Sequence, residues 1–133
     1  NASVVNYQEN EKMNRTVGAA RQALLRMTNQ LRSATAVAVS EPSSQCSLVT
    51  AEGDDITYKY VSADACLYLV TNDITTDDDF VLCNNVTSME FDRATTVNDQ
   101  GQTVIRNVQI IMTVEADDIS RTIATAAVIR KNL

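Results

Sequence analysis

Apolar positions follow two regimes along the chain, and the change between them divides it. Val17, Ala20, Leu24, Met27, Leu31, Ala34 and Ala38 succeed one another in alternating steps of three and four residues. That spacing places them on one stripe of an α-helix. Residues 4–39 hold no Pro and a single Gly, Gly18; as one continuous helix they predict a rod about 54 Å long at 1.5 Å per residue. Only the later turns carry the stripe, so the front of the rod is expected to project or to continue another element. Ser40-Glu41-Pro42-Ser43-Ser44 holds the only Pro and reads as the helix stop.

Beyond Pro42 the period shortens to two. Cys46–Ala51, Ile56–Val61 and Cys66–Thr71 are rich in β-branched and aromatic residues, and the turn-like stretches 52–55 and 62–65 separate them. Phe80–Cys83, Val86–Asp92, a long strand over Val104, Val108, Ile110, Met112 and Val114, and a last strand with Ile119, Ile123, Ala127 and Ile129 facing inward complete the pattern. Short connections favour an antiparallel meander. One apolar stripe covering one apolar sheet face predicts a two-layer α+β domain, with residues 1–41 as the helix and 42–133 as the sheet head.

Charge sharpens the division. Residues 1–41 carry a net +2 and residues 42–133 a net −8, for −6 over 133 residues. A chain this acidic lacks the basic field that nucleic-acid binding needs, and no nucleic-acid partner is expected. The chain has no His, which removes Ser-His-Asp triads, Cys-His pairs and His-ligated zinc, so a non-enzyme is the expected class. On the helix, Arg15 and Arg26, and likewise Arg21 and Arg32, are eleven residues apart and share faces outside the stripe. These four arginines are the candidate assembly face.

Two further clusters carry possible chemistry. Asp73, Asp77, Asp78 and Asp79 offer the oxygen donors that a hard cation such as calcium takes, although their spacing fits no EF-hand loop. Of the three cysteines, Cys46 and Cys66 would sit two strands apart in a meander, beyond bridging reach. Cys83 would come nearly opposite Cys66 if Phe80–Cys83 folds back on its neighbour. A Cys66–Cys83 disulfide is therefore expected in an oxidising compartment, leaving Cys46 as the spare.

The order of motifs resembles the type IV pilin superfamily, in particular minor pilins and type II secretion pseudopilins. The arginine-studded helix ending Gln30-Leu31-Arg32-Ser33-Ala34 is similar to the segment that follows the pilin membrane helix. Ile56-Thr57-Tyr58-Lys59-Tyr60, Cys66-Leu67-Tyr68-Leu69, Asn85-Val86-Thr87-Ser88-Met89-Glu90-Phe91 and the close Val128-Ile129-Arg130-Lys131-Asn132 resemble successive pilin strands, with Leu69 where Arg is common. The resemblance implies a structural subunit, anchored in the bacterial inner membrane by a preceding apolar helix of about 25 residues. It further implies a periplasmic head that assembles with other pilin or pseudopilin subunits, and it raises calcium as an occupant of the acidic loop. The competing reading is a periplasmic or secreted binding module, recognising a ligand or calcium through the sheet and residues 73–79.

Overall fold

The helical stripe forms, but the helix beneath it ends well before Pro42. The computed structural model describes residues 2–73 and 79–130, with side chains from Asn10 onward, and in it α1 spans Ala2–Ser33. The Ser33 hydroxyl donates back to the carbonyls of Asn29 and Gln30 at 3.2 and 3.4 Å, a bond that competes with continued helix. Thr35 N–H then donates to Val49 O and Ala38 N–H to Ser47 O, both at 2.9 Å. A short strand β1 (Ala36–Val37) thereby pairs with β2 (Gln45–Val49). The expectation of helix through residue 39 is corrected here: the β-branched residues Thr35, Val37 and Val39 lose rotamer freedom in a helix and gain from strand pairing.

The meander continues through β3 (Asp55–Val61), β4 (Cys66–Thr71) and β5 (Phe80–Cys83). Three longer strands follow: β6 (Val86–Val97), β7 (Thr103–Ala116) and β8 (Ile119–Val128). They do not extend the same sheet. The described residues form a five-stranded sheet in the order β1-β2-β3-β4-β5 and a three-stranded sheet in the order β6-β7-β8, both antiparallel. This overturns the expected α+β domain with one sheet under the helix, because the described residues are mostly β, with one helix and eight strands in two sheets.

The break lies between β5 and β6. Asn85 has φ +61°, a left-handed conformation that Asn tolerates better than most residues, and Val86 N–H turns to Ala65 O at 2.9 Å. There is also a covering argument. Eight strands about 4.8 Å apart span roughly 34 Å, whereas a helix with its side chains is only about 10 Å across. A second sheet therefore supplies burial that one stripe cannot. Ala20, Leu24, Met27 and Leu31 of α1, Leu48, Tyr58 and Leu67 of the first sheet, and Phe91, Ile110 and Met112 of the second belong to one buried cluster.

The long strand departs from strict alternation at one point. Ala94 pairs with Asn107 and Thr95 with Ile105, so β7 carries an extra residue there. Such a bulge shifts the inward parity; Ile105 is buried and Val104 only partly so. The same pairing carries β6 five residues past Asp92, to Val97.

A few directional bonds tie the second sheet to the first sheet and to the loop before β2. Phe91 N–H donates to Ser43 O at 2.7 Å, and the Tyr60 hydroxyl donates to Val86 O at 2.9 Å. Tyr60→Phe is expected to lower stability by about 1 kcal/mol, the usual net contribution of such a bond, as a fall in the urea midpoint. An unchanged midpoint would show that this bond does not help hold the sheets together.

Candidate functional site

α1 lies across β7 and β8, and its two flanks differ. On the flank towards β5, Arg26 sits 5.9 Å from the centre of the Phe80 ring, within cation–π reach. Arg15, on the same flank, borders hollows lined by Val81, Leu82 and Asn84, and by Glu115 and Asp117. The opposite flank faces β8. There Arg21 and Arg32 border two confluent hollows of about 690 and 440 Å³, which share Arg21 and Ile123. The proposed assembly face is thus two faces: the eleven-residue pairs stay together, and the helix body separates one pair from the other.

The β8 flank is built from alternation on both sides. Arg121 and Ile123 pair with Val114 and Met112, which are buried, so the odd side chains of β8 point to the helix side of the sheet. Opposite them stand Leu24, Leu25 and Thr28 of α1. Leu24 is buried and Leu25 is 57% exposed, giving an apolar floor with an apolar lip. Arg21, Arg32 and Arg121 are exposed, and no Asp or Glu is among the described residues lining either hollow. The ion pairs among the described residues, Lys12–Asp117 at 3.5 Å and Arg93–Glu41 at 3.6 Å, involve none of these arginines. Three uncompensated guanidinium groups in a chain of net charge −6 make this a local cationic groove suited to carboxylates.

Asp73 and Asp79 are exposed, and Asp77 and Asp78 lie outside the described residues. No group of three or more metal-ligating side chains occurs among the described residues. All three cysteines are free thiols. Cys83 pairs with Leu67 rather than Cys66, and the Cys66 thiol meets Asn84 Oδ1 at 3.1 Å. Burial raises the Cys46 thiol to about 11, and burial together with the nearby Cys66 raises Cys83. Both are protonated at neutral pH. Burial likewise lifts the Tyr58 hydroxyl to about 12, against the opposing charge of Arg26.

Sequence reasoning placed Ile123 on the inward face of the last strand but did not single it out as a site residue, and it missed Arg121 and Leu25. One signal was present: Arg121 is the only charged residue in the ten-residue β8 segment. Its meeting with Arg21, a hundred residues earlier, has no local signature. No family model, curated protein or solved structure matches the chain.

Proposed function

We propose that this chain is a structural subunit that works by assembly, of the minor pilin or pseudopilin kind, its arginine flanks meeting acidic surfaces of neighbouring subunits. The observation that carries the reading is the pair of exposed cationic flanks on a helix whose other side is locked into the core. Charges placed this way set encounter rate and register more than total affinity. The order of elements supports it too, with a long N-terminal helix leading into antiparallel strands. Among the described residues no helix is long and apolar enough to cross a membrane; the reading takes its membrane anchor from the pilin resemblance.

The test is incorporation. The full-length gene product, expressed in its own host, is expected in the sheared-filament or pseudopilus fraction. Arg21→Glu is expected to reduce its incorporation about tenfold or more, equivalent to a loss of about 1.4 kcal/mol per contact, with the head still folded by circular dichroism. A product that never co-fractionates with filaments, or normal incorporation of the variant, overturns the reading.

A further inference from the structure

β8 forms one outer edge of the three-stranded sheet over ten residues, and its polarity can be read from one bond. Ile129 N–H donates to Arg106 O, continuing the register in which Val128 pairs with Asn107. In an antiparallel ladder inward and outward bonding alternate. Odd positions of β8 therefore bond to β7, while the N–H and C=O groups of Ser120, Thr122, Ala124, Ala126 and Val128 point away from the sheet. β8 stands at the end of the order β6-β7-β8, with no strand beyond it among the described residues. Its register with β7 runs from residue 119 to 128 without a shift. Natural edges are usually blunted by Pro, by a bulge or by several charges. This one has no Pro, no bulge and a single charge, Arg121.

We propose that this edge and the adjoining groove are a docking site for an extended acidic segment of a partner protein, which adds as a fourth strand beside β8. Backbone bonds from the five outward positions supply the pairing, and side chains on alternate positions of the incoming strand supply selectivity. Those turned to the helix side run between α1 and the plane of β8. At one end they meet Arg21 and Arg121, in the middle Leu24, Leu25 and Ile123, and at the other end Arg32. Arg21 and Arg32 are about 16 Å apart along the helix axis; acids at i and i+4 of an extended strand are about 13 Å apart, and the long arginine and glutamate side chains span the difference. The segment that fits is thus acidic, any, aliphatic, any, acidic, with its three determining side chains on one face. Charge complementarity favours this occupant over a second copy of β8, which would bring Arg121 towards Arg121 or Arg21. The inference does not rest on the pilin reading, since it needs only the edge and its three arginines.

A fluorescein-labelled peptide Thr-Glu-Thr-Val-Thr-Glu-Thr, blocked at its C-terminus, tests it by anisotropy against the whole chain. Saturable binding is expected, weakening as NaCl is raised and at least about tenfold weaker for a peptide with its two Glu on opposite faces. Ala124→Pro removes an outward N–H without touching a bond to β7, and it is expected to weaken binding at least about tenfold with the fold retained. Should that variant fail to fold, hydrogen exchange on the unaltered chain decides. The heptapeptide is expected to slow exchange at four consecutive positions of the series 120, 122, 124, 126 and 128, while the odd positions are already protected. No saturable binding at millimolar peptide, equal affinity for the scrambled peptide, or no new protection at the even positions overturns the proposal. So does a peptide-independent dimer abolished by Ala124→Pro, which assigns the edge to a second copy.

Discussion

Glu41→Ala is expected to destabilise the protein by about 3–5 kcal/mol, the range for breaking a buried ion pair from one side. Glu41 and Arg93 side chains are only 11% and 8% exposed, with 3.6 Å between charged atoms. The Glu41 carboxylate also accepts bonds from Gln45 Nε2 at 2.6 Å, from Ser47 Oγ at 2.7 Å and from Ser47 N–H at 2.7 Å. Arg93 donates to Gln45 O as well, so the pair ties β2 to β6 and thus one sheet to the other. Removing the carboxylate leaves a guanidinium charge buried. Urea unfolding at neutral pH followed by circular dichroism measures the loss, and a change below about 1 kcal/mol would show that water reaches Arg93 freely.

Acid should expose the same contact. Burial raises the Glu41 pKa, but the bonds from Ser47 and Gln45 and the charge of Arg93 outweigh it and hold the carboxyl below its ordinary value of 4.5. A carboxylate lowered on folding stabilises fully above its unfolded pKa, and that contribution disappears as pH falls through the folded one. The wild-type urea midpoint is therefore expected to fall more steeply below about pH 4.5 than that of Glu41→Gln, which no longer titrates there. Parallel pH profiles for the two proteins would contradict this.

Leu31→Ala is expected to cost about 2–5 kcal/mol, whereas Leu25→Ala should change stability by less than about 0.5 kcal/mol. The two leucines lie six residues apart on α1, yet Leu31 is 0% exposed and Leu25 57%. Deleting Leu31 opens a cavity where the last helical turns meet the buried cluster. A similar small effect at both positions would mean that the helix does not contribute to the core. The contrast also separates packing from recognition, since Leu25 forms the lip of the β8 groove.

Local pattern carried much of the architecture. Cys66–Thr71 and Phe80–Cys83 appear as read, because β-branched and aromatic residues in runs of four to six carry the strand signal. The stripe from Ala20 to Leu31 is buried as its spacing implied. The division into two sheets was not legible, since it depends on a left-handed Asn85 that looks like any loop Asn. The bulge near Arg106 leaves no mark in a run where Val104 and Ile105 are both apolar. The arginine flanks followed from the eleven-residue spacing, but the groove did not: which strand lies beside Arg21 is a tertiary fact. The same holds for Glu41 with Arg93, whose pairing spans more than fifty positions of chain.

α1 rests on β7 and β8, strands made some seventy residues or more after it, and this ordering has a cost during synthesis. Until β7 and β8 have left the ribosome, Leu24, Met27 and Leu31 have no final cover, and the nascent chain carries an exposed apolar stripe while the intervening strands are made. Contacts between such distant parts form late and slow folding. A chain cut short before Ile119 would therefore be a substrate for chaperones and proteases rather than a smaller working head.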